Sequence, residues 1–331
     1  MSYYVQIKIY LSFKLTEQHL YSPKTTVPTK IQLFTTTMKI ALYSRTLKPE
    51  DHQFICQLLD TLQQNNINWC IYQPYWEQIQ QQIQPLSHSA PETFVMGDTL
   101  EQHVDFVWSI GGDGTIINTI DLVHESGVPV LGINTGRLGL LTDITKSQIR
   151  QAVHALQHQQ YTLDRRTLLQ LHTEPPLFKS TQLALNEFAI HKKDTSAMIT
   201  IHTYLDGAFL NSYWADGIIV ATPSGSTAYS LSCGGPIVQP DTQALVITPV
   251  APHNLNMRPI IIPDKHTISF EISGRNDNYL CSLDSRYATV EANRTLTVTK
   301  APFTLNLVRL TPRNFYTTIR QKLLWGQDSR N

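Results

Sequence analysis

From residue 39 onward, short apolar runs alternate with amphipathic stretches. Residues 39–44 and 67–72 predict strands, and the stretch between them, 49–64, predicts a helix. Pro49 stands in its first turn and Ile55, Leu58, Leu59 and Leu62 fall at helical spacing. A short helix is expected after Pro74, and its Gln-rich part, 78–84, reads as a solvated face or loop. Residues 104–110 predict a buried strand, 115–125 a helix, 128–133 a strand and 145–157 a helix. Strands and helices in alternation imply a parallel sheet covered on both faces.

After Tyr161 the pattern turns to strand-like alternation, over 167–172, 183–191, 198–204, 218–222, 260–262 and 267–272. Turn residues such as Asp206-Gly207 and Asp264-Lys265 interrupt it. Residues 314–325 predict a helix with Phe315, Ile319, Leu323 and Leu324 on one side, able to close back on the first domain. The fold class expected is α/β plus all-β: an N-terminal Rossmann-like parallel α/β domain, a mostly antiparallel β domain and a closing C-terminal helix. The expected boundaries are 38–160, 161–305 and 306–331. Residues 1–37 hold an apolar stretch interrupted by Gln6, Lys8 and Lys14, with no small-residue cleavage site after it, so it reads as neither signal peptide nor membrane span. It is expected to be a poorly packed or spurious extension ahead of Met38.

At 331 residues and 41% hydrophobic content the chain can bury a large core in two domains. Lys plus Arg and Asp plus Glu each number 26, so no global field recruits nucleic acid or an anionic membrane, and any phosphate binding must be local. Cys56, Cys70, Cys233 and Cys281 show no metal-ligand spacing and no disulfide framework, which suits reduced thiols in a cytoplasm.

Gly111-Gly112-Asp113-Gly114-Thr115 falls where a strand stops and a helix starts, where free amides and the positive helix end can hold phosphate oxygens. Asp113 has two chemical uses there: accepting the proton of an attacking hydroxyl, or helping to hold Mg²⁺ between phosphates. The plainer alternative is a glycine turn with Asp113 as the helix N-cap. Residues 216–232, Asp-Gly-Ile-Ile-Val-Ala-Thr-Pro-Ser-Gly-Ser-Thr-Ala-Tyr-Ser-Leu-Ser, then Gly234-Gly235-Pro236, read as a strand, a turn and a short helix entered through hydroxyl residues. Hydroxyls and free amides converging on one volume suit a polyhydroxylated nucleotide. Asn186-Glu187 places an amide beside a carboxylate, a pair able to recognise an adenine edge and ribose hydroxyls.

The 111–115 turn resembles the signature shared by NAD kinases, phosphofructokinases and diacylglycerol-type lipid kinases. The 216–236 run closely resembles the NAD kinase motif, and Asn186-Glu187, Asn134-Thr135-Gly136-Arg137-Leu138-Gly139-Leu140-Leu141 and Thr248-Pro249-Val250-Ala251-Pro252-His253-Asn254-Leu255 resemble further segments of that family in the same order. The resemblance covers residue 39 to the C-terminus. It implies transfer of the ATP terminal phosphate to the 2′-hydroxyl of the adenosine ribose of NAD, with Mg²⁺ as cofactor and no dedicated protein metal site.

By the same resemblance Asp113 is the catalytic base. NAD contacts fall to Asp113, Gly114, Leu140, Asn186, Glu187, Asp216, Ser224, Thr227, Ala228, Tyr229, Ser230, Leu231, Ser232 and Ala251, and phosphate contacts to Gly111, Gly112, Gly114 and Thr115. A homodimer or homotetramer in the cytoplasm is implied, with no nucleic acid and no membrane. Departures from the family pattern are Asn118, where some members carry Arg, and Asp284-Ser285-Arg286, where many carry Asp-Gly-Gln. Trp214 occupies a position that varies with nicotinamide redox preference. These bear on the donor contacts and on NAD against NADH. A lipid or sugar kinase, supported by the glycine turn alone, and a catalytically silent dinucleotide-binding regulator are the competing readings.

Overall fold

The structure is a computed structural model describing residues 38–83, 90–98, 100, 104–136, 139–142, 144–193, 198–274, 277–292, 294–310 and 314–323. The expectation for residues 1–37 lies outside the described residues, as do Arg137, Leu138, Leu324 and Trp325.

The first half runs β1 (Lys39–Tyr43), α1 (His52–Gln64), β2 (Asn68–Tyr72), α2 (Gln73–Gln82), β3 (Glu92–Phe94), β4 (Phe106–Gly111), α3 (Asp113–Asn118), α4 (Ile120–Val123), β5 (Val130–Asn134), β6 (Ile144–Thr145) and α5 (Ile149–Gln157). The second half runs β7 (Thr162–His172), β8 (Leu183–Ala184), β9 (Glu187–Lys192), β10 (Ile199–Leu205), β11 (Ala208–Ala215), β12 (Gly217–Ala221), α6 (Tyr229–Ser232), β13 (Ala244–Val250), β14 (Ile260–Pro263), β15 (Ile268–Ser273), β16 (Asn278–Leu283), β17 (Arg286–Glu291), β18 (Leu296–Arg309) and α7 (Phe315–Leu323).

β3, β2, β1, β4 and β5 pair in parallel, in that order. Alternation along β1 sends Ile40 and Leu42 to one face and Ala41 and Tyr43 to the other. The first face packs on Leu58, Leu59 and Leu62 of α1, Ile79 of α2 and Val153 of α5. The second packs on Ile116 and Ile120 and on Leu305 and Leu307 of β18. Both faces are therefore dry, as the continuous apolar runs predict. The second half packs one sheet on another: Leu169, Ile201, Phe270 and Val298 of the larger sheet meet Phe188, Ile218 and Val220 of an antiparallel six-stranded one ordered β14-β13-β12-β9-β16-β17.

Several elements differ from the sequence expectation. The helix expected over 115–125 starts at Asp113 and breaks at Thr119, whose hydroxyl donates to the Ile116 carbonyl at 2.6 Å and competes with the next helical turn. The strand expected over 183–191 is two strands in two sheets: β8 pairs with β7, and β9 with β12 and β16. The Asp284 carboxylate takes the N–H groups of Leu185, Asn186 and Glu187 at 2.8, 2.7 and 3.1 Å, so these donors leave the ladder between them. Residues 296–309 form one strand running through position 306, antiparallel to β15 and β7 and parallel to β5 where Leu307 meets Val130. β18 thereby joins both halves in a single 12-stranded sheet. The C-terminal helix spans Phe315–Leu323, and of its expected apolar side Ile319 is buried whereas Leu323 is 38% exposed.

Candidate functional site

β4 ends at Gly111, whose φ of +154° and close packing against the Thr115 side chain leave no room for a Cβ. Gly112 is the N-cap of α3, so Asp113 is its first helical residue and not its cap. A Cβ added at Gly112 or Gly114 would meet nothing within 4 Å beyond its own stretch of chain, so this backbone faces open space.

The Asp113 carboxylate points to the loop after β5. It accepts the N–H of Leu140 at 2.6 Å on Oδ2, and those of Leu141 and Thr142 at 3.0 and 3.1 Å on Oδ1. The Thr142 hydroxyl takes the Gly139 N–H at 2.9 Å, which folds the loop inward. A Cβ on Gly139 would lie on the Asp113 carboxyl atoms. Gly139→Ala is therefore expected to displace a carboxylate held by three donors and to lower kcat on the order of 10²-fold, read by steady-state kinetics beside a Tm measurement.

To the cavity that Asp113 lines, the β8–β9 break presents Asn186, and the turn after β12 presents Ser224, Thr227 and Ala228. The turn rests directly on the break: the Thr222 hydroxyl donates to the Leu185 carbonyl at 2.5 Å and the Thr222 N–H to the Asn186 carbonyl at 2.8 Å. A Cβ on Gly225 would strike the Asn186 backbone. Asp113, Leu140, Asn186, Ser224, Thr227 and Ala228 line one cavity of about 410 Å³.

Other expected contacts stand elsewhere. Ser230 is fully buried, sharing a hydrogen bond with the Thr248 hydroxyl at 2.8 Å. Tyr229, 38% exposed, stands 5.6 Å from the His191 ring, while Leu231 and Ser232 lie further along α6 and off the cavity lining. Asp216 and Ala251 sit at the far end of β12 and β13, where Asp216 pairs with Lys192 at 2.7 Å. Five strand residues separate that end from the cavity, on the order of 15 Å.

Glu187 is buried, and its Oε2 has no hydrogen-bond partner. Burial, and then the neighbouring Asp284 charge, push its carboxyl up to about 8 against a Tyr229 N–H that favours the anion. Because the folded-state value lies above the ordinary 4.5, the folded protein holds this proton more tightly than the unfolded chain. Stability therefore falls as pH rises from about 4.5 to about 8. Glu187→Gln is expected to match the wild type in Tm near pH 5 and to exceed it increasingly toward pH 9, read by thermal melts across that range (~5 to ~9). A Tm difference independent of pH would contradict the assignment.

Asp164, Arg166, Gln239, Asp241, Arg309, Phe315 and Thr318 also line the cavity, and none of them belongs to the sequence motifs. One signal was available: Arg309 interrupts the apolar run Leu305 to Leu310, and a charge in a buried strand needs a partner. Burial alone would raise the Asp164 carboxyl, but the Arg166 guanidinium, then Arg309, hold it below the usual carboxylate range.

A carboxylate on a glycine turn at a helix start, facing a hydroxyl-rich turn across a nucleotide-sized cavity, defines a phosphotransferase. Family profiles described as ATP-NAD kinase N-terminal domain and ATP-NAD kinase C-terminal domain match residues 40–161 and 185–310. The chain belongs to the ATP-NAD kinase family and is a phosphotransferase acting on NAD. It is 46% identical over 294 residues to the NAD kinase of Cytophaga hutchinsonii, covering 89% of this chain and 100% of the relative. With the NAD kinase of Flavobacterium psychrophilum it shares 43% over 296 residues, at the same coverages of 89% and 100%. Among solved structures it resembles yeast NADH kinase complexed with NADH, with TM-score 0.76 and 25% identity over 88% of this chain and 89% of that one. An NAD kinase from Archaeoglobus fulgidus in complex with ATP shares the fold, with TM-score 0.63 and 22% identity over 87% of this chain and 99% of that one.

Proposed function

We propose that this chain transfers the terminal phosphate of ATP to the 2′-hydroxyl of the adenosine ribose of NAD, forming NADP and ADP, with Asp113 as general base. The observation that carries the reading is the setting of Asp113. A carboxylate offers about four lone-pair sites, and three N–H donors occupy three of them, leaving one for an incoming hydroxyl proton. That hydroxyl oxygen bonds the terminal phosphorus as the bridge to ADP breaks, and the proton passes to Asp113. Asn186, Ser224, Thr227 and Ala228 would hold the adenosine side across the cavity. Glu187, with a free buried oxygen beside Asn186, suits a ribose hydroxyl. An extended dinucleotide would run past Tyr229 toward Asp216 and Ala251. Gly112 and Gly114 provide open backbone for phosphate oxygens, between Gly111 and Thr115, which would complete the phosphate-binding turn.

Among the described residues no group of three or more His, Cys, Asp or Glu side chains is placed to hold a metal ion, and Asp113 and Asp164 are already committed to donors. The fit is to Mg²⁺ arriving on the triphosphate, with Asp113 and the glycine turn beside it, because Mg²⁺ keeps waters and phosphate oxygens as ligands. Bound there it would neutralise charge on the transferred group. EDTA is therefore expected to abolish NADP formation while leaving NAD binding, followed by calorimetry, unchanged. Loss of NAD binding on chelation would count against this reading. Titrating NAD with and without ATP separates turnover from the silent-regulator alternative.

The proposed location is the cytoplasm. Its supports are four free thiols, with burial pushing Cys70 up to about 11 and Cys281 up to about 12. No helix among the described residues is long and apolar enough to cross a membrane. A homodimer or homotetramer is proposed from the edge strands β11, β14 and β17, which expose Phe209, Trp214, Ile261 and Tyr287.

A further inference from the structure

Three charged side chains outside the sequence motifs tie the two walls of the cavity together. β7 supplies Asp164 and Arg166, β18 supplies Arg309, and the two arginines are only 7% and 5% exposed. Arg166 Nε and Nη2 donate to the two Asp164 oxygens at 2.9 and 2.7 Å, and its Nη1 donates to the Ser224 hydroxyl at 3.1 Å. Arg309 Nε and Nη2 both donate to Asp164 Oδ2, at 3.0 and 2.9 Å, and its Nη1 donates to the Leu141 carbonyl at 2.9 Å. The N–H of Leu141 is in turn one of the three donors on Asp113. A continuous path of bonds thus runs from Asp113 through Leu141, Arg309, Asp164 and Arg166 to Ser224.

Two buried guanidiniums in a nucleotide cavity invite a phosphate-binding assignment, but the charges oppose it. Asp113, Asp164 and Asp241 line the same space, three carboxylates against two guanidiniums. Each arginine also spends a fork on Asp164, where geometry, not net field, is what the pairing fixes. We propose that Arg309 is a positioning residue for Asp113. It acts through the Leu141 backbone, and Asp164 and Arg166 extend the same brace to Ser224, so that base and acceptor turn share one anchor. This rests on the reading of Asp113 as the base. β18 is the strand common to both halves of the sheet, so the brace also registers the halves against each other at the reacting centre.

Steady-state kinetics of the full chain test it with Arg309→Lys, Asp113→Asn and the double variant. A lysine keeps the charge but cannot bridge Asp164 and Leu141 with a planar fork. Arg309→Lys is expected to lower kcat about 10²-fold with KM for NAD within about threefold, and the double variant to be no slower than Asp113→Asn alone. A double variant slower by the product of the two single losses, or wild-type kcat in Arg309→Lys, overturns the proposal. Should Arg309→Lys fail to fold, Asp164→Asn keeps the shape of the brace and is expected to show the same kcat-only, non-additive loss at about tenfold, additivity again overturning it. Wild-type turnover in Asp113→Asn would sink the base assignment itself, an outcome visible without any Arg309 variant.

Discussion

Asp113→Asn is expected to lose turnover by about 10³-fold, within the range removed with a general base, while still binding NAD. An amide cannot take the ribose hydroxyl proton, which accounts for the loss in kcat. The substitution has a second effect that the structure specifies. Asp113 now accepts on both oxygens, from Leu140 on Oδ2 and from Leu141 and Thr142 on Oδ1. An amide keeps one acceptor and turns a donor toward the other site, so at least one backbone N–H loses its partner. The loop at 139–142 should therefore exchange its amide hydrogens faster in the variant. NAD affinity should hold within a few fold, because Asn186, Ser224 and Thr227 line the same cavity and take no part in the Asp113 hydrogen bonds. Kinetics, NAD titration and hydrogen exchange read these three effects separately, and turnover within about tenfold of wild type would remove Asp113 as the base.

Asp284→Ala carries the largest expected loss of stability. Asp284 sits at φ +50° in the turn between β16 and β17 and is 9% exposed, with its carboxylate filling the gap where β8 gives way to β9. Burial pushes this carboxyl up, while the N–H groups of Leu185, Asn186 and Glu187 favour its charged form. Truncation strands those three donors, each costing about 1–3 kcal/mol, so a loss of about 3 kcal/mol or more is expected. In a chain of this size that corresponds to a Tm lower by roughly 5–10 °C. Asn186 is positioned by the same carboxylate, so KM for NAD should rise in parallel. Asp284→Asn, which keeps one acceptor oxygen, should recover about half of the lost stability. An alanine variant melting with the wild type would show that the β8–β9 break is held by other means. Arg286 secures the same junction, donating to the Thr181 carbonyl at 2.9 Å and to the Leu183 carbonyl. The departure from Asp-Gly-Gln at 284–286 thus falls on residues whose observed contacts are structural.

Much of this architecture is legible along the chain because its signals are local. Period-two alternation and apolar runs expose β1, β4, β5 and β12, and turn chemistry marks the glycine turn and the Pro223-Ser224-Gly225 corner. β18 was harder to read. Pro302 lies inside it, and the register against β7 shifts between Lys300 and Thr304, so a proline that usually ends a strand here sits in a bulge. The break at 185–186 is invisible locally because its cause, Asp284, is nearly a hundred residues away, 98 from Asn186. Site residues divide in the same way. Asp113, Asn186, Ser224 and Thr227 belong to short ordered runs and meet in the cavity. Asp164 and Arg309 are 145 residues apart and meet only because β7 and β18 pair along most of their length. Ser230 belongs to the most informative run in the sequence, yet its hydroxyl turns inward to Thr248, since a motif residue can serve the turn's own fold.

NADP formation by the purified wild-type chain, given NAD, ATP and Mg²⁺ and followed through an NADP-specific dehydrogenase, reads the proposed transfer itself. One NADP is expected for each ADP released, with no signal when NAD is omitted. A chain that binds NAD and ATP yet forms no NADP, or that releases ADP at the same rate without NAD, would contradict it.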